Sequence, residues 1–175
     1  MKSSLNLFLA AALLAAVSCA GNPELECENG VRVRLQPVTE SIVRVSATPE
    51  KAFSGRRSLA VVPRKGKVKY SCTKTAGGLR LSTAKLTVEV SAADGRVRFF
   101  RPDGTGVLAE SARSFKPVES EGKPGFTVAQ TWESPDDEAF YGLGQHQTFE
   151  YNRKGTDEEL YQYNTKISVP FIVST

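Results

Sequence analysis

Apolar and polar side chains alternate with a period of two over much of this 175-residue chain. The pattern is clearest in residues 31–35, 41–46, 85–90 and 96–100. Alternation of this kind is typical of antiparallel strands that bury one face and leave the other in water. No stretch beyond the N-terminal segment has helical periodicity for more than two turns, so the sequence indicates an all-β fold.

Turn-forming residues separate the alternating runs. Asp94-Gly95, between Val90 and Val97, is the strongest hairpin signal, because glycine adopts the positive φ of a tight turn without strain. Other turns are predicted at residues 28–30, 76–78 and 102–104. Strand-like runs recur about every ten residues, which predicts an antiparallel β-sandwich. They lie near residues 25, 32, 43, 60, 70, 80, 88, 98, 107, 115, 128 and 171.

Composition is that of an ordinary globular protein, with 40% hydrophobic and 24% charged residues. The net charge of +4 is spread along the chain, and the densest basic run, residues 64–69, adjoins a turn. No aromatic residues alternate with these charges, as a single-strand binder requires, so we expect a solvated hairpin end and no nucleic-acid partner. His146 is the only histidine, and we predict neither a metal site nor a cofactor.

The first 19 residues have the features of a targeting segment. Lys2 supplies a positive start, and residues 7–17 form an apolar run that is too short to span a bilayer. Residues 16–19 resemble a bacterial lipobox, with Ala16 in place of the usual leucine. We therefore predict a lipoprotein signal peptide over residues 1–19, lipidation of Cys19, and a membrane-anchored protein in the periplasm or at the cell surface. The alternative is ordinary secretion, with cleavage near Ser18 or Ala20.

Two further cysteines, Cys27 and Cys72, lie in strand-like stretches. An exported protein folds where disulfides persist, so a bridge between them is one expectation. The other is that each is a small buried thiol.

Three motifs follow one another near the C-terminus: FYGLGQHQ at residues 140–147, YQYNTK at 161–166 and VPFIV at 169–173. In this order they resemble the hinge region of glycoside hydrolase family 31, the α-glucosidase and α-xylosidase family. There a YGLG turn closes an N-terminal β-sandwich of the galactose-mutarotase-like kind, just before a (β/α)8 catalytic barrel. The resemblance implies that residues 20–175 are that sandwich, truncated before the barrel. It also implies a parent enzyme that hydrolyses α-linked xylose or glucose from oligosaccharides with retention.

The catalytic aspartates of this family lie on the barrel, in motifs such as WxDMNE, and this chain contains no such motif. A retaining glycosidase needs two carboxyl groups about 5–5.5 Å apart. The acids at residues 136–138 and 157–159 lie in polar loops, and we expect them to face water. We therefore assign no catalytic residue.

The resemblance assigns substrate contacts to the loop that follows the YGLG turn, at Tyr163, Asn164, Thr165 and Lys166. An aromatic face suits the C–H surface of a sugar, and amide and hydroxyl groups suit its hydroxyls. In the alternative interpretation, Tyr163 packs under the loop and Asn164 caps a turn. His146 either faces the barrel or is structural.

Gly142 and Gly144 allow a close backbone approach between strands.

The expected partners are an oligosaccharide substrate, the protein's own barrel and the membrane. A non-catalytic carbohydrate-binding surface lipoprotein is the alternative function, and a purely structural β-domain is a further one.

Overall fold

The computed structural model describes residues 21–62 and 66–175. Within these ranges the secondary structure is entirely β, in antiparallel sheets. The signal segment, with Cys19, and part of the basic run at residues 64–69 lie outside the described residues. No helix in the described part of the chain could cross a membrane.

In the part of the chain that the structure describes, eleven strands form three sheets. The first has the order β1-β2-β3, with β1 at Glu24–Glu26, β2 at Arg32–Thr39 and β3 at Ile42–Thr48. The second has six strands in sequential order: β4 (Ser71–Thr75), β5 (Gly78–Ser82), β6 (Thr87–Ser91), β7 (Val97–Phe100), β8 (Gly106–Ser120) and β9 (Lys123–Trp132). The third pairs β10 (Phe140–Gln145) with β11 (Ile167–Ser174).

The described chain divides into two compact units, one ending at Glu133 and the other spanning Ser134–Thr175. The first unit contains β1–β9 and the second contains β10 and β11.

The core of the first unit confirms the alternation read from the sequence. Val33 and Leu35 of β2 are fully buried, at 0% exposure, whereas Arg32 and Arg34, which alternate with them, lie on the other face. The core joins this sheet to the second one through a cluster of small and branched side chains. Its members are Cys27, Val33, Leu35, Cys72, Leu79, Leu81, Val88, Val90 and Val97. Burial of this apolar surface is the main stabilising contribution to such a sandwich.

The Asp94-Gly95 hairpin is confirmed. Val90 of β6 pairs with Val97 of β7, and Gly95 has a φ of +74°. A Cβ on Gly95 would also lie 2.9 Å from the Val33 side chain and 3.1 Å from the Cys27 sulfur. Glycine is therefore required here both for its conformation and because the turn packs against the core.

Several expectations need correction. The strand expected near residue 60 is irregular loop, and the runs near 107 and 115 are a single strand, β8. Cys27 is a buried free thiol, so there is no Cys27–Cys72 bridge. Burial raises the pKa of that thiol, which disfavours the reactive thiolate.

The YGLG motif, expected as a turn, is part of strand β10. Gly142 pairs with Ile172 and Gly144 with Ser168, so residues 169–171 bulge opposite Leu143. A Cβ at Gly142 would meet the Phe171 carbonyl oxygen at 2.5 Å, and one at Gly144 would meet the Ile167 oxygen at 2.0 Å. The close approach predicted for both glycines is confirmed. The bulge also accommodates Pro170, which has no amide to donate to a ladder.

Asp94 links the stability of the central hairpin to pH. Burial opposes its ionisation, but hydrogen bonds from the Arg96 backbone amide, the Ser91 hydroxyl and the Arg96 guanidinium outweigh it, so the pKa of Asp94 lies below its ordinary value. A carboxyl with a lowered pKa stabilises the fold above its unfolded pKa of about 3.9. That contribution is lost as pH falls through the lower, folded value.

We therefore predict that Asp94→Asn lowers the free energy of unfolding at pH 7, by no more than about 1 kcal/mol because the pair is partly exposed. Urea unfolding followed by circular dichroism should show the deficit shrinking as pH falls below about 4. Glu119→Gln, at an exposed position, is the control. A deficit that is independent of pH would contradict this assignment.

Candidate functional site

The predicted substrate-binding residues form one tight turn in the second unit, between β10 and β11. The Lys166 amide donates to the Tyr163 carbonyl at 2.9 Å, and the Tyr163 amide donates back at 3.4 Å. Asn164 has a φ of +51°, a conformation that asparagine tolerates better than most residues. The turn therefore accounts for an asparagine at this position, in agreement with the alternative interpretation in which Asn164 has a structural role in a turn.

Two tyrosine rings lie side by side at this turn. Their centroids are 6.4 Å apart, and the Lys166 ammonium lies 4.9 Å from the centre of the Tyr161 ring. Tyr163 is 70% exposed, so it does not pack under the loop. The result is an aromatic surface edged by a positive charge, in which an ammonium over a ring is a favourable arrangement. We call Tyr161, Tyr163, Asn164 and Lys166 the tyrosine turn.

Hydrogen bonds hold the tyrosine turn from behind. The Gln162 side chain donates to the Ser168 carbonyl at 3.1 Å and accepts from its amide at 3.2 Å. The Ser168 hydroxyl donates to the Tyr161 carbonyl at 2.7 Å, and Gln147 donates to the Thr165 hydroxyl at 2.6 Å. Thr165 is therefore engaged within the protein. The Asn164 amide makes no side-chain hydrogen bond to the described residues, which leaves it open to solvent or a ligand.

A buried charge cluster supports the polar loop before the turn. The Glu158 carboxylate accepts from Arg153 Nη1 at 2.7 Å, and the same nitrogen donates to the Thr148 hydroxyl at 2.6 Å. The side chains of Arg153 and Glu158 are only 9% and 10% exposed. The expectation that Glu158 faces water is therefore wrong. The polar sequence of this loop therefore includes charged side chains that pair with each other and are shielded from water.

His146 completes this cluster. Its side chain is 2% exposed, and its Nε2 lies 2.8 Å from the Leu143 carbonyl oxygen, so Nε2 carries the hydrogen. Its Nδ1 lies 3.3 Å from Glu158 Oε2 and makes no hydrogen bond to a described residue. This burial agrees with the structural interpretation of His146.

Glu138 is the other acid with a fixed position. It accepts a hydrogen bond of 2.5 Å from the Ser174 hydroxyl, and that bond, together with one from Ser134, lowers the pKa of its carboxyl. Glu138 and Glu158 are thus each held by donors of their own unit, as structural carboxylates are. Over residues 21–62 and 66–175, no group of His, Cys, Asp and Glu side chains is arranged to hold a metal ion.

The charge cluster gives a direct test. Glu158→Gln removes the charge but keeps the shape, and leaves Arg153 buried without its counter-ion. We expect the free energy of unfolding of this unit to fall by roughly 3 kcal/mol, with faster proteolysis in residues 147–166. Asp157→Asn, one residue earlier and exposed, makes the same change of charge and should leave both measurements unchanged. Equal effects of the two variants would show that Glu158 is not a buried anchor.

The family model for the "Glycosyl hydrolase 31 N-terminal galactose mutarotase-like domain" matches residues 32–173 of this chain. Among solved structures, the GH31 α-xylosidase of Xanthomonas citri is 40% identical, with a TM-score of 0.83, over 90% of this chain and 18% of that one.

Two curated relatives are more distant. The isomaltosyltransferase of Sporosarcina globispora is 24% identical over 82% of this chain and 14% of its own length. The α-xylosidase of Saccharolobus solfataricus is 27% identical over 83% of this chain and 21% of its own. The chain thus spans about a fifth or less of the length of these proteins. The match over nearly all the described strands shows that it belongs to the glycosyl hydrolase 31 N-terminal galactose mutarotase-like domain family.

Proposed function

We propose that this chain is the N-terminal domain of a retaining α-glycosidase that removes α-linked xylose or glucose from oligosaccharides. The observation that carries the proposal is the tyrosine turn: an exposed aromatic and amide surface held by hydrogen bonds from behind. Such a surface can contact the C–H face and the hydroxyls of a sugar without catalysing its cleavage. The match to the Xanthomonas citri α-xylosidase favours xylose.

In this proposal the chemistry belongs to another part of the protein. Retaining hydrolysis needs a nucleophile and an acid/base carboxyl about 5–5.5 Å apart. Glu138 and Glu158 of the second unit instead accept hydrogen bonds from Ser174 of β11 and from Arg153, respectively. The tyrosine turn would shape the sugar pocket, and the domain would brace a (β/α)8 barrel. The segment 20–175 alone should then be inactive on aryl α-xylosides and α-glucosides.

We predict that Asn164→Ala in the full-length enzyme lowers kcat/KM by roughly ten- to hundredfold, since one hydrogen bond to a substrate contributes about 1–3 kcal/mol. Tyr163→Ala should act in the same direction. Tyr151→Ala, which removes another highly exposed tyrosine of the second unit, is the matched control and should leave kcat/KM unchanged. Thermal melts accompany the kinetics. Wild-type kcat/KM with a lower Tm would make the turn a brace and not a sugar contact.

We also propose that the protein is exported and held at a membrane by acyl chains on Cys19. The support is the lipobox-like sequence at residues 16–19, after an apolar run. Cys19→Ala should move the protein from the membrane fraction to the soluble fraction, because a protein without acyl chains loses most of its membrane affinity. Mass spectrometry of the N-terminal peptide should find the lipid on Cys19. A variant that remains in the membrane fraction would contradict this assignment.

A further inference from the structure

We propose that the first unit carries a separate binding site for an acidic saccharide, in a cleft on the outer face of the β1–β3 sheet. The alternation that buries Val33 and Leu35 turns their neighbours outward. Arg34 lies opposite Ser46 in the register, and Gln36 lies opposite Arg44. These outward side chains form the floor of the cleft. We call it the arginine cleft.

The loop that follows β3 covers part of this floor. The Arg34 guanidinium lies 4.0 Å from the centre of the Phe53 ring, which fastens the loop to the sheet by a cation–π contact. The space between loop and sheet has a volume of about 890 Å³. That is within the range of roughly 300–1,000 Å³ found for small-ligand sites. It accommodates an oligosaccharide of a few residues.

The charge of the arginine cleft is one-sided. Four arginines line it (Arg34, Arg44, Arg56 and Arg57), and Glu50 is the one acidic residue among the described lining residues. Arg34 is already paired with Glu24 at 2.6 Å. Arg44, Arg56 and Arg57 make no side-chain ion pair or hydrogen bond within the described parts of the chain. They line one cleft in which the arginines outnumber the single acid, Glu50, with which none of the three forms an ion pair, and this excess of positive charge favours an anionic ligand.

The neutral lining identifies the kind of anion. Guanidinium groups bind carboxylate and sulfate through paired hydrogen bonds. Beside them, Gln36, Ser46, Thr48 and Ser58 line the cleft with amide and hydroxyl groups, which both donate to and accept from sugar hydroxyls. Phe53, the one aromatic residue among the described lining residues, is occupied by Arg34. The described lining therefore offers no free stacking ring of the kind that binds single-stranded nucleic acid.

The arginine cleft is independent of the tyrosine turn, because the two sites use different residues of different units. A variant that abolishes binding at one site therefore leaves binding at the other site to be tested. A whole enzyme with both sites would act on a neutral sugar while binding an acidic one elsewhere on the chain.

The test is isothermal titration calorimetry of the full chain with an oligogalacturonide, whose units carry carboxylates, and with a neutral malto-oligosaccharide of equal length. We expect saturable binding of the acidic probe and none of the neutral one. The double variant Arg44→Gln/Arg57→Gln should weaken binding at least about tenfold, since a charge-assisted bidentate contact is lost. Neither arginine has a side-chain partner among the described residues, so circular dichroism should show an unchanged fold.

Arg98→Gln/Arg101→Gln is the matched control: it removes the same charge from two exposed arginines of the same unit that do not line the cleft. It should change the dissociation constant less than about twofold, which is within the effect of a distant surface charge. An equal loss in both double variants would overturn the proposal, as would no binding of the oligogalacturonide or equal binding of the neutral probe. Equally tight binding of oligothymidylate would also overturn it, because the cleft would then bind any polyanion.

Discussion

A single buried carboxylate holds the larger sheet together where its strands change partners. The Glu110 side chain is 0% exposed and accepts four hydrogen bonds. Arg113 supplies two, at 2.7 and 2.5 Å, and Gln130 and the Val97 amide supply one each, at 3.0 Å. These donors come from β7, β8 and β9. A buried charge is tolerated only when it is paired and fully hydrogen-bonded, and Glu110 meets both conditions.

This arrangement explains the shape of β8. Its first residues pair with β7 and the rest pair with β9, with a bulge between Glu110 and Ala112. The extra residue of a bulge bends a strand and re-aims its side chains. Here the bulge lies beside the buried pair. It also sets Trp132 opposite Glu110, within 6.5 Å of the Phe99 ring. The ion pair and the aromatic contact thus fix where β8 leaves one neighbour and joins the next.

Most of the strands could be predicted from the sequence because period-two alternation reports directly on burial, as at Val33 and Leu35. The buried charges could not. Glu110 and Arg113 are three residues apart in a strand without regular alternation of polar and apolar residues, and Gln130 comes twenty residues after Glu110. Glu158 likewise resembles its exposed neighbour Asp157. Only the three-dimensional placement of Arg153 and His146 distinguishes them.

Across the described chain, charged groups that support the fold differ from polar groups that are available to a ligand. Charges that matter for the fold have partners: Glu110 with Arg113, and Glu158 with Arg153. These side chains form their hydrogen bonds inside the protein, so their mutation should first lower the free energy of unfolding. Groups that recognise a ligand need the opposite condition: a backbone held in place, and hydrogen-bond donors or aromatic faces without a partner inside the protein. Asn164 meets it in the tyrosine turn and Arg44 meets it in the arginine cleft. A net charge of +4 therefore says little by itself. What identifies a site is where charge or polarity is left unpaired on a surface that the fold holds still.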